Sequence, residues 1–255
     1  MNILVINDYN QQYSPFWSHL CQDQDHVTDD PEILFRAPKS VELVCFTGGG
    51  SDISPRLYEH RDLGYSTTNP ARDQAEVLFF QQAEKERIPV TGIGRGAQFL
   101  NVMCGGTLVQ HLDGHHALGM RDVHAVQTIF TPIDIPGEEY AMGGEYTFEG
   151  CHSQMMVPGS EGVVLAWAKE PALLSDCAYD GNLGETGVLQ PVGSPDEVLI
   201  TEVVAYPGHR ALLIQAHPEN QPIEDDAPQW VLEMTRRICL GQGARVYLGD
   251  MEACA

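Results

Sequence analysis

The feature that most constrains this chain is a series of short apolar runs, each closed by glycines or turn formers and each followed by helical periodicity. Residues 3–7 read as a buried first strand ending at the turn-prone Asp8-Tyr9-Asn10. Leu43-Val44-Cys45-Phe46 reads as a second, stopping at Gly48-Gly49-Gly50, and Pro89-Val90-Thr91-Gly92-Ile93 as a third. Residues 71 to 87 follow a helical period with Ala75, Leu78, Phe79 and Ala83 on one face, and Arg95 to Met103 read as a helix closed by Gly105-Gly106. Strands alternating with helices predict an α/β fold with a central, mostly parallel sheet flanked by helices. A strand, a glycine-rich turn and a helix meet between residues 90 and 100. In such a sheet that junction lies at the strand's carboxyl end, where ligands bind.

The middle of the chain, residues 107–195, is rich in Gly, Pro and acidic residues and is expected to hold loops and a small antiparallel extension. Apolar regularity returns at Val198–Val204 and Ala211–Ile214, with Tyr206-Pro207-Gly208-His209 as a hairpin turn between them. A last helix is expected near Asp226, with Trp230, Val231, Met234 and Ile238 facing inward. With 255 residues and no internal repeat or linker, a single domain spanning 1–255 is the simplest organisation.

A net charge of −22 argues against nucleic acid or an anionic membrane as partner, because phosphate backbones and acidic headgroups would be repelled. Basic residues are scattered, and the pair Arg236-Arg237 reads as a solvated helix face. No apolar run approaches the ~18 residues that suggest a membrane span. Met1-Asn2 leads straight into Ile3 without a basic leader, so a cytoplasmic location is expected. Seven widely spaced cysteines without a CxxC pair read as free thiols rather than a zinc site or disulfide framework. His111, Asp113, His115, His116 and His124 read as chance histidines in a solvated loop, since nothing gives them fixed ligand geometry.

Five segments carry a more specific signal when taken together. Thr47-Gly48-Gly49-Gly50-Ser51-Asp52-Ile53-Ser54-Pro55 with Tyr58 resembles the Gly-Gly-x-Asp-x-x-Pro-x-x-Tyr loop of γ-glutamyl hydrolase-type class I glutamine amidotransferases. Arg72-Asp73 with Glu76 resembles that family's helix before the elbow strand, and reads by itself as an ion-pair network. Gly92-Ile93-Gly94-Arg95-Gly96-Ala97-Gln98, then Asn101 and Gly105-Gly106-Thr107-Leu108, is similar to the nucleophile elbow. Cys151-His152-Ser153-Gln154 resembles the His-x-Gln segment, and Gln215-Ala216-His217-Pro218-Glu219 the His-x-Glu strand end. The matches keep the family's order from about residue 43 to residue 219.

The resemblance implies a flavodoxin-like three-layer fold and hydrolysis of a γ-glutamyl amide by a Cys-His-Glu triad, without metal or cofactor. A thiolate on a sharp strand-to-helix turn attacks the amide, a histidine moves the proton, and a carboxylate orients the histidine. His217 would be the base and Glu219 its orienting carboxylate, two residues apart on a strand and so on one face. Gly49, Gly50 and the Arg95 amide would form the oxyanion hole. Gln98, His152 and Gln154 would line a pocket for a small-molecule γ-glutamyl ligand.

The chain departs from the pattern at its centre: the nucleophile position is Gly94. The turn tolerates this, because glycine adopts strained elbow conformations cheaply, but a covalent step cannot run without a thiol. An introduced change, a natural pseudo-enzyme, or takeover by Cys104, Cys151 or a water activated by His217 would each account for it. The expected functions are thus a γ-glutamyl amide hydrolase inactive as written, a binding module for a glutamyl ligand or partner protein, or a glutaminase subunit serving a separate synthase.

Overall fold

The computed structural model describes residues 1–21, 26–113, 122–128, 145–150, 152–168, 172–181, 183 and 197–242. Among these, nine strands form one sheet. Its first half is β2 (His26–Thr28), β1 (Asn2–Ile6), β3 (Leu43–Phe46), β4 (Val90–Ile93) and β15 (Ala211–Ile214), all paired in parallel. Antiparallel pairing continues it through β14 (Thr201–Tyr206), β10 (Val163–Ala168), β7 (Asp122–Thr128) and β8 (Glu145–Gly150). Three two-stranded ribbons join β5 (Thr107–Val109) to β9 (Met155–Val157), β6 (His111–Leu112) to β12 (Cys177–Ala178), and β11 (Ala172–Leu173) to β13 (Glu197–Val198). The expected parallel core with an antiparallel extension from the middle of the chain is therefore present.

Alternation along the central strands sends successive side chains to opposite faces. Ile3, Val5, Leu43 and Cys45 pack with Phe16 and Trp17 of α1 (Ser14–Ser18) and with Trp230 and Val231 of α5 (Asp226–Ile238). Leu4, Ile6, Val44 and Phe46 pack on the other face with Leu34 of α2 (Ile33–Arg36), Phe80 of α3 (Pro70–Glu86) and Phe99 of α4 (Arg95–Met103). The Phe46 and Phe99 rings stack with centroids 5.4 Å apart, and each fully buried aromatic contributes about 1.5–3 kcal/mol by leaving water. The inward face of α5 is as expected: Trp230, Val231, Met234 and Ile238 are all buried.

The helix at Pro70–Glu86 lies where periodicity put it, but its buried face differs. Asp73, Glu76, Phe80 and Ala83 are buried, while Leu78 is 59% exposed. Apolar spacing misleads here because the inward positions near the helix start are carboxylates, paired with a cation from α4. Asn69 caps the helix by accepting the Arg72 N–H, and Pro70 occupies the first turn, where no donor is lost.

Strand register sets the site's position. Ile6 is level with Phe46, Phe46 with Gly92, and Ile93 with Ile214. The residues that follow these strand ends thus emerge together along one edge of the sheet: Thr47–Gly50 after β3, Gly94 after β4, and Gln215–Glu219 after β15.

Candidate active site

Gly94 joins β4 to α4 in a conformation with φ +55° and ψ −117°, a region costly for any residue with a Cβ. Its N–H donates to Ile214 O at 2.8 Å, and its carbonyl accepts the Gln98 N–H at 3.1 Å, so the turn is clamped to β15 and to the first turn of α4. The flanking glycines are steric necessities. A Cβ on Gly92 would lie 2.5 Å from the Gly96 carbonyl carbon, and one on Gly96 would lie 2.5 Å from the Phe46 carbonyl carbon. Helix and strand can approach this closely only without side chains at both positions. The turn aims position 94 at the imidazole of His217: a Cβ there would sit 3.1 Å from Nε2 and 2.8 Å from Cε1.

His217 Nδ1 is 2.8 Å from Glu219 Oε1, and the Glu219 side chain is almost fully buried. With Nδ1 held against a carboxylate, Nε2 is the nitrogen turned to the elbow. Burial lowers the imidazole pKa, but the Glu219 hydrogen bond and the charges of Glu219, Glu202 and Glu149 outweigh it and leave it raised. The pair is not on a strand as the sequence suggested. Strand β15 ends at Ile214, and Pro218–Asn220 form a single 3-10 turn. Pro218 starts that turn, which brings Glu219 back onto the ring, and the His217 N–H is anchored on Glu149 O at 2.7 Å.

Behind the elbow lies a buried ionic network. The Arg95 side chain turns away from the elbow and pairs with Asp73 and Glu76, so only its backbone is placed to serve an oxyanion. Glu76 also accepts from Arg72 Nε at 2.7 Å and from Asn7 Nδ2 at 2.9 Å. Arg72 NH2 reaches on to the carbonyls of Thr47 at 2.9 Å and Gly48 at 3.0 Å. Residues 72, 73 and 76 thus form the expected ion-pair network, extended by Arg95.

A cavity of about 410 Å³ opens over the elbow, lined by Gly49, Gly50, Asp52, Gly94, Arg95, Gln98, His152, Gln154, Gln215 and His217, among others. Every residue expected at the site lines it except Glu219, which stands behind His217. Its walls are polar and mostly neutral. Gln98 Nε2 donates to Gln215 Oε1 at 3.1 Å. His152 is held between Gln154 O at 2.8 Å and Glu202 Oε1 at 3.2 Å. Gln154 Oε1 is buried with no hydrogen-bond partner.

Sequence reasoning missed Tyr13, whose hydroxyl stands against Gly48 beside His217 Cε1. Asp8 holds this tyrosine in place, because its carboxylate accepts from the N–H groups of Gln12, Tyr13 and Ser14. It also missed Glu202, which supports His152 from β14. Neither has a local signal, since each contact spans more than thirty residues of chain. Cys104 ends α4 at the far end from Gly94, about 14 Å along a helix of this length, and burial pushes its thiol up to about 12. Cys151, His115 and His116 lie outside the described residues, as does the side chain of His124. Among the described residues no helix is long and apolar enough to cross a membrane.

Residues 26–140 match the model of the Peptidase C26 family. A glutamine amidotransferase-like protein of Rickettsia prowazekii is 41% identical over 75 residues, 28% of this chain and 26% of its own length. The YvdE homologue of Lactococcus lactis, also described as glutamine amidotransferase-like, is 36% identical over 120 residues, 46% of this chain and 60% of its own. The aligned stretches therefore span less than two thirds of either relative. The glutaminase domain of Trypanosoma brucei CTPS, solved with bound acivicin, superposes with a TM-score of 0.53 over 95% of both chains at 12% identity, a likeness of fold. Over these stretches the chain is similar to glutamine amidotransferase-like proteins.

Proposed function

We propose that this chain binds a γ-glutamyl compound in an amidotransferase-type site that lacks only its covalent nucleophile. The observation that carries this reading is the aim of position 94. A side chain there would start 3.1 Å from His217 Nε2, while His217 Nδ1 is held by Glu219 at 2.8 Å. Base, orienting carboxylate and elbow keep the relationship that a thiol nucleophile requires. The amide-rich walls suit the polar, zwitterionic end of a glutamyl group.

With cysteine at position 94 the site would run as a γ-glutamyl amide hydrolase. Sulfur would attack the γ-carbonyl as His217 takes the thiol proton, and the amine would leave carrying that proton. Water, deprotonated by His217, would then cleave the thioester and release glutamate. The α4 N-terminus and the loop amides would stabilise the oxyanion in both steps. With Gly94 no thioester forms, and binding without turnover is the expected behaviour.

The test pairs calorimetry of the chain with L-glutamine and L-glutamate against glutamate release by the chain and by its Gly94→Cys variant. Saturable heat from the Gly94 chain, with release by the variant alone, supports the reading. No heat with either ligand and a silent variant would sink it.

A further inference from the structure

Arg72 contacts the 47–50 loop in a way that determines which amides the loop can offer. Its NH2 group donates to two successive carbonyls, Thr47 O and Gly48 O. In a trans peptide the C=O and N–H point in opposite directions, and none of the described peptide bonds is cis. Drawing both carbonyls back toward α3 therefore turns the N–H groups of Gly48 and Gly49 the other way. The Tyr13 hydroxyl crowds Gly48, standing where a Cβ on that residue would be. Gly49, unlike Gly48, lines the cavity, so the Gly49 N–H is the first amide presented to it.

Local sterics point to the same arrangement. Gly49 sits at φ +143°, and a Cβ there would lie 2.5 Å from Arg72 NH1, so glycine is what admits the guanidinium so close to the backbone. The guanidinium is itself fixed from behind by Glu76, at 2.7 Å from Nε.

We propose that Arg72 is a positioning residue for the oxyanion site: by clamping the carbonyls of Thr47 and Gly48 it aims the Gly49 amide into the cavity. The proposal rests on the hydrolytic reading only in naming an oxyanion as what the Gly49 amide meets. The clamp itself is a statement about the loop. Lysine cannot substitute, because one ammonium cannot span two carbonyls and Glu76 in the planar fork that a guanidinium provides.

Two measurements test it. In the Gly94→Cys background, Arg72→Lys and Arg72→Gln are expected to lower kcat about 100-fold, with KM changed less than about twofold and the melting midpoint of the Lys variant held. Unaltered kcat in both variants overturns the proposal. In the Gly94 chain itself, amide hydrogen exchange reads the clamp without any catalysis. Arg72→Gln should speed exchange at Gly48 about tenfold or more as the loop is freed from α3. Unchanged exchange at Gly48 in Arg72→Gln overturns the proposal whatever the turnover result. If Gly94→Cys is silent and exchange still responds, the hydrolytic reading falls and the clamp stands.

Discussion

The imidazole of His217 lies against Gly94 so closely that a Cβ at position 94 would be 2.8 Å from its Cε1. The ring thus leans into the volume where a nucleophile's side chain would start. Restoring a side chain forces two adjustments: the ring withdraws by a few tenths of an ångström, and a non-glycine residue takes up φ +55°. We expect both Gly94→Ala and Gly94→Cys to lose about 1–3 kcal/mol of stability in urea melts. Only the cysteine variant should release glutamate from γ-glutamyl amides. Equal stability of all three chains would show that the elbow is not strained.

The charge on Glu219 is what keeps the pKa of His217 raised. Burial alone lowers it, and the hydrogen bond and charge of Glu219 lead the opposing effects. Glu219→Gln should therefore move the His217 titration, followed by NMR of the ring protons, below its value in the parent chain. The consequence for stability has a definite sign. A folded-state pKa above the usual imidazole value of about 6.5 means the protonated ring contributes stability that is complete below that pH. The contribution is lost as pH rises through the raised value. In Glu219→Gln that part of the pH dependence should vanish. An unmoved titration would mean that Glu202 and Glu149 carry the effect.

The parts of this molecule that could be read from sequence are those fixed by local sterics. Gly92-Ile93-Gly94-Arg95-Gly96 announces a tight strand-to-helix turn because each outer glycine meets backbone where a Cβ would stand. The strands at 43–46, 90–93 and 211–214 are buried throughout because both faces of the sheet are covered. The buried face of α3 was misread because Asp73 and Glu76 turn inward to meet Arg95, a contact that crosses about twenty residues and has no period. The turn at Pro218 was read as strand because an His-x-Glu spacing suits both. Tyr13 was invisible because its meaning depends on Gly48, on a different strand end.

Close packing behind the elbow makes the flanking glycines the least replaceable residues of the site. Gly96→Ala would drive a methyl into the backbone of Phe46, where no flexible side chain can give way. The cost should exceed the 1–3 kcal/mol typical of overpacking, seen as a shifted urea midpoint or failure to fold. Gly50→Ala is the contrast, since a Cβ there meets nothing within 4 Å. It should leave the midpoint within about 0.5 kcal/mol, as surface substitutions do.

Arg95 is the cation on which two buried carboxylates depend. Its side chain is 2% exposed, and those of Asp73 and Glu76 are 4% and 0%. Replacing it by methionine keeps much of the volume and removes the charge, leaving Asp73 facing Glu76 with only Arg72 to compensate. Breaking a buried pair from one side costs about 3–5 kcal/mol, and a loss of that order is expected at neutral pH. The sign of its pH dependence follows from Asp73. Burial already raises that carboxyl, with Arg95 pulling it down and Glu76 pushing it up, so removing Arg95 raises it further. A folded-state pKa above the unfolded one favours the fold at low pH and penalises it as pH rises. The Arg95→Met chain should therefore recover stability relative to the parent as pH falls from 7 toward the carboxylate range of about 4. A deficit that stays constant across that range would mean that lost packing, rather than the unpaired carboxylates, is what the substitution costs.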